Sequence, residues 1–86
     1  MSVMDILRQQ LASLEPTHID IEDESHQHAG HAGAREGGHF KLLIVSARFA
    51  GLSTMQRHRL VYDAVGDLKA AGIHALSIKA KSPDEL

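Results

Sequence analysis

Among 86 residues without a single cysteine, the side chains with the most chemical potential are seven histidines. His26, His28, His31 and His39 lie in or beside one stretch, SHQHAGHAGAREGGH from Ser25 to His39, and His74 follows Gly72-Ile73 much later. Neutral imidazole is the commonest metal-binding side chain, and a His-x-His pair on extended backbone puts both rings on one side. The lack of thiols excludes a disulfide, a cysteine nucleophile and any iron–sulfur or zinc–thiolate site made by this chain alone. Metal chemistry therefore falls to histidine and carboxylate. A second cluster is cationic: Arg57, His58 and Arg59 stand near Lys41 and Arg48, with no acid between Gly37 and Tyr62. Such a stretch can face nucleic acid, cover a solvated helix face, or pair with the acidic run Asp20 to Glu24. No nucleophile elbow, P-loop or pair of carboxylates in an evident cleft is present, so neither an enzyme nor a small-molecule substrate is expected.

These residues need elements to position them. Met4, Leu7, Leu11 and Leu14 recur at helical spacing behind a Ser2/Asp5 start, which predicts a helix over about Val3 to Leu14, stopped by Glu15-Pro16. His18, Asp20 and Glu22 alternate with Ile19 and Ile21, the pattern of an edge strand wet on one face. The glycine-rich Ser25 to His39 has no periodicity and reads as a mobile loop. FKLLIVS, Phe40 to Ser46, predicts a central strand buried on both faces from Leu42 to Val45. Ser53 and Gln56 form a capping box for a helix expected to reach Ala71, with Gly72 as its left-handed cap. Ile73 to Lys81 then alternates Leu76, Ile78 and Ala80 inward with Ser77, Lys79 and Lys81 outward. The order αββαβ folds most economically as one α+β domain: a three-stranded mixed sheet, its last two strands parallel across a helical crossover, with two helices on one face.

The formal net charge of -2 is segregated. Met1 to Glu36 holds most of the acids and Gly37 to Leu86 a modest basic excess, too weak for a nucleic-acid binder by charge alone. No long apolar run and no basic, apolar leader at Met1 to Asp5 is seen, so the expectation is a cytoplasmic protein with no membrane segment.

Asp23-Glu24-Ser25 before the loop, His39-Phe40-Lys41, Val45-Ser46, Phe49-x-Gly51, Arg57-His58-Arg59-Leu60-Val61-Tyr62 and Ile73-His74-Ala75-Leu76 together resemble the BolA family, over Ile6 to Pro83. The resemblance implies the same αββαβ fold, similar to a type II KH domain. It also implies pairing with a monothiol glutaredoxin and a bridging 2Fe-2S cluster whose remaining ligands, a cysteine and glutathione, come from that partner. The cluster ligand at the start of the last strand is then His74, and the loop ligand, three residues after the family's serine, is His28. This sequence departs from the family in having His26 where many relatives carry an aromatic, and in an extended loop containing His31. His31 is therefore a further candidate ligand, with His26 and His39 behind it. Transcriptional roles in some relatives make DNA the alternative partner, through Arg57, His58 and Arg59. The helix-flanking Gly-x-x-Gly loop that clamps nucleic acid in KH domains is missing.

Overall fold

The computed structural model describes residues 3–24, 38–68, 70 and 72–86. Its first helix, α1 (Val3–Leu11), buries Leu7 and Leu11 completely, and a 3-10 turn at Ala12–Leu14 carries Leu14 into the same core. The helix tightens and stops there because the residue before a proline is barred from right-handed helix. Glu15 instead adopts a left-handed conformation (φ 51°, ψ 52°), donating its N–H to the Ala12 carbonyl at 3.0 Å.

Three strands follow the expected order: β1 (His18–Asp23), β2 (Gly38–Val45) and β3 (Ile73–Lys81). β2 is central, antiparallel to β1 and parallel to β3. It begins at Gly38, earlier than its apolar pattern suggests, so that His39 belongs to the sheet. Residues 25–37, which include His26, His28 and His31, lie outside the described residues.

One core joins Leu7 and Leu11 of α1, Val61 and Val65 of the second helix, and Ile21, Phe40, Leu42 and Ile44 of the sheet. Both helices therefore cover the same face. The opposite face carries Asp20, Glu22, Lys41 and Lys79, all exposed, and this corrects one expectation about β2. Leu42, Ile44 and Val45 are buried, but Leu43 is only half-buried, because among the described residues both helices pack on the other face. Ser46, fully buried, ties the end of β2 to its neighbours. Its hydroxyl donates to the Leu14 carbonyl (2.6 Å) and accepts from the Arg48 N–H (3.1 Å), while its own N–H donates to the Lys81 carbonyl (2.9 Å).

The second helix, α2 (Thr54–Val65), opens with the expected capping box: the Gln56 N–H donates to the Ser53 hydroxyl (3.2 Å) and the Ser53 N–H to the Gln56 side chain (2.9 Å). It ends well before Ala71. Gly66, at φ 79° and ψ −140°, breaks the helix in a region that only glycine enters without strain. Gly72 is indeed at positive φ (85°), but it introduces β3 and does not cap α2. Its carbonyl accepts from the Gly38 N–H at 2.9 Å, and the next N–H, of Ile73, donates to Leu68 at 2.8 Å.

A Cβ on Gly66 would meet nothing within 4 Å, so its replacement tests backbone conformation alone. Gly66→Ala is expected to lower the unfolding free energy by about 1–3 kcal/mol in urea denaturation. An unchanged midpoint would mean that the chain leaves α2 by another route.

Candidate functional site

His74 owes its position to an irregularity in β3. The parallel register pairs Gly38 with Ile73 but His39 with Ala75, so His74 is an extra residue without a directly opposed partner. Further along, Leu76, Ile78 and Ala80 pack against the core. Strict alternation from these would turn His74 inward and Ile73 outward. With the bulge, Ile73 is only 2% exposed and His74 is exposed on the opposite side. Bulges of this kind re-aim a side chain and favour functional sites.

The side chain that His74 meets is His39. In β2, Phe40, Leu42 and Ile44 face the helices, so His39, Lys41 and Leu43 share the open face. The two imidazoles lie with ring centres 5.0 Å apart and planes tilted by 38°. Ordered backbone holds both. The His39 carbonyl accepts from the Glu24 N–H (2.8 Å), and Gly38 is bonded to Gly72, so β1, β2 and β3 are fastened together beside the pair. Two nitrogen donors held in this way suit a borderline transition metal but do not complete a four-coordinate site. Among the described residues, no group of three or more His, Cys, Asp or Glu side chains could hold a metal ion.

The remaining histidines and the basic stretch are placed differently. His18 starts β1 opposite Val45, at the far end of the sheet from His39, and His58 is half-buried on α2. His28 and His31 lie outside the described residues. Of the basic stretch, Arg59 is exposed, whereas Arg57 is committed within the fold, its side chain only 12% exposed. Its Nε donates to the Leu52 carbonyl (3.0 Å), and its Nη1 to the Ala80 carbonyl (3.1 Å) and Glu85 Oε1 (2.5 Å). The acid that Arg57 meets is thus at the carboxyl end of the chain, not in the acidic run of β1. Arg57 beside Glu85, helped by the Ser82 N–H and hydroxyl, holds the Glu85 carboxyl down at about 2, from 4.5.

The His39–His74 contact was not anticipated from the sequence, although a signal for it exists. Both residues stand at the starts of strands expected to be parallel, and parallel neighbours begin at the same end of a sheet. What the pattern conceals is the bulge that turns His74 to the open side.

A family model described as BolA-like protein matches residues 10–85. The chain belongs to the BolA family. Over 79 residues it is 48% identical to SufE-like protein 1, chloroplastic/mitochondrial, of Arabidopsis thaliana, covering 85% of this chain and 21% of that protein. It is 35% identical over 86 residues to the DNA-binding transcriptional regulator BolA of Haemophilus influenzae, covering 99% of this chain and 82% of the other. The solved structure of BolA1 from Arabidopsis thaliana superposes with a TM-score of 0.83 at 39% identity, over 100% of this chain and 98% of that one. The match extends to two helices and a three-stranded mixed sheet. The chain spans 21% to 51% of the length of the first four curated relatives it matches. Among the described residues, no helix is long and apolar enough to cross a membrane.

The Arg57–Glu85 pair gives a pH prediction whose sign follows from the lowered carboxyl. A group with its folded pKa below its unfolded one stabilises the fold above the unfolded value, here 4.5, and that contribution is lost as pH falls towards 2. Arg57→Met is expected to return the Glu85 titration, followed by carboxyl NMR, towards 4.5. Glu85→Gln should flatten the stability profile between those limits, and an unchanged profile would deny Arg57 its hold on the carboxyl end.

Proposed function

We propose that this chain is a BolA-type adaptor that pairs with a monothiol glutaredoxin and lends imidazole nitrogen to a shared 2Fe-2S cluster, as cargo for cluster delivery or as an iron signal. The observation that supports this most directly is the exposed His74 with a second imidazole 5.0 Å away, in a chain that has no cysteine. Such a chain can offer nitrogen but not thiolate, so a cysteine and glutathione from the partner must supply the sulfur ligands. The donor set fits a cluster divided between two proteins. Bound there, the cluster would supply one-electron chemistry at a potential above that of an all-thiolate site, since imidazole ligation raises it.

This chain's own contribution is positional. The bulge presents His74 to the open face, and the paired strand starts keep it from turning back into the core. Both imidazoles bind metal only when a ring nitrogen is deprotonated, so assembly weakens in acid. A reducing compartment such as the cytoplasm suits a site completed by free thiols. The plant relatives' names cite chloroplast and mitochondrion for those proteins.

A second reading, a DNA-binding regulator working through Arg57, His58 and Arg59, is favoured by the name of the Haemophilus influenzae relative. It has less support in the geometry, since Arg57 is already bonded to Leu52, Ala80 and Glu85.

Co-purification with a monothiol glutaredoxin and glutathione is expected to yield a coloured heterodimer whose visible circular dichroism changes in His74→Ala. A colourless wild-type mixture would sink the adaptor reading. For DNA, affinity measured against salt should prove weak and salt-labile without sequence preference. Discrimination between sequences at physiological salt, lost in Arg59→Ala, would reverse the ranking.

A further inference from the structure

The sheet face turned away from the helices carries its charges in separate columns. Asp20 and Glu22 of β1 lie on one side and Lys79 of β3 on the other, with Lys41 and Leu43 of β2 between them. The register sets them in rows: Glu22, Lys41 and Ser77 in one, Asp20, Leu43 and Lys79 in the next. Opposite charges on neighbouring strands can stabilise a sheet by pairing. Among the described residues, however, the ion pairs are Arg48–Glu15 and Arg57–Glu85, and none joins these four side chains. A groove on this face is lined by all four and by the half-buried Leu43. Acid, apolar group and base are thus left open, in that order, to whatever lies on the sheet.

An isologous two-fold contact needs a surface that complements itself after rotation. Rotation about an axis along β2 keeps each row at its own level and exchanges its two sides. Asp20 then meets the second copy's Lys79, Lys79 meets the second copy's Asp20, and Leu43 meets its counterpart on the axis. In the adjoining row Lys41 also meets its like, but the second copy's Glu22 stands over Ser77, so each lysine has a carboxylate on either side. Stacked sheets keep their strands nearly aligned about 10 Å apart, a gap that a lysine and a carboxylate reaching towards each other can bridge.

We propose that this face binds a second copy of the chain, about a two-fold axis running along β2. Strands of 6, 8 and 9 residues, about 4.8 Å apart, offer far less than the roughly 800 Å² per partner of a standard stable interface. The dimer is therefore transient and electrostatic, formed at high concentration and dissolved by salt. It does not depend on the adaptor reading, since none of these residues belongs to the histidine pair.

The full chain is tested with a chelator present, so that metal held by histidine plays no part. In sedimentation equilibrium the average mass is expected to rise from that of one chain towards that of two as concentration approaches about 1 mM, and to fall back when salt is raised. Asp20→Lys and Lys79→Asp each bring like charges together and should weaken self-association by about tenfold or more. Both side chains are exposed, so circular dichroism should show the fold unchanged. Mixed in equal amounts, the two variants should associate with each other, because one presents two bases and the other two acids. Both substitutions in one chain should restore self-association. In the wild type, dilution should shift the amide NMR signals of Asp20, Leu43 and Lys79 and leave those of α1 and α2 in place. A wild type that stays monomeric, single variants that dimerise as well as it does, or a mixture that fails to associate would each overturn the proposal. If the three amides shift only when glutaredoxin is added, the face belongs to that partner and the second copy is overturned.

Discussion

Ile73 anchors the start of β3 in the core at 2% exposure, while Leu76, Ile78 and Ala80 face the same core further along the strand. An odd residue and an even series cannot both face inward from one regular strand, because side chains alternate with a period of two. The chain satisfies both by inserting one unpaired residue, and that residue is His74. Two residues earlier, Gly72 stands at positive φ with its carbonyl bonded to the Gly38 N–H. The exposure of the candidate ligand is thus a by-product of core packing. Burying the isoleucine turns the imidazole out, and at the same strand end β2 supplies His39 to meet it.

The rest of the molecule serves this end of the sheet by being economical elsewhere. Among the described residues, α1 and α2 both pack on one side of the sheet. The opposite face carries the exposed Asp20, Glu22, Lys41 and Lys79, with Leu43 half-buried among them. At the far end, opposite the histidines, buried polar contacts replace apolar bulk. Ser46 bonds to Leu14 in the 3-10 turn after α1 and to Lys81 at the end of β3, and Ser82 bonds to Asp84 and Glu85. Arg57 closes that end by bonding the last strand and the carboxyl-terminal turn. An arginine that reads in the sequence as part of a cationic surface is here satisfied by a carboxylate and two carbonyls.

Most elements were legible because their signals are local. The Leu7/Leu11 spacing, the Ser53/Gln56 box, the alternation around Ile19 and Ile21 and the apolar run at Leu42 to Val45 each place an element without reference to the rest. Errors arose where two signals competed. Apolar Leu68 falls in phase with the stripe of α2 and extends its apparent length, yet Gly66 ends the helix, because its conformation outweighs a continued pattern. Leu43 looks like a core residue by composition, but whether a second layer covers it is not written near it in the chain.

The amino-acid order by itself determined the αββαβ succession, the parallel pairing of the last two strands and the absence of thiols that obliges any shared metal site to draw sulfur from elsewhere. It also marked His74 as chemically interesting. Only the tertiary structure decided that His39 stands 5.0 Å from it, that β3 skips one register step to turn it outward, and that Arg57 is spent on Glu85. The division has one physical cause. Periodicity and capping act within a few residues, whereas each of these three facts is a contact between segments some 25 to 35 residues apart, settled by how strands and helix ends compete for the same core.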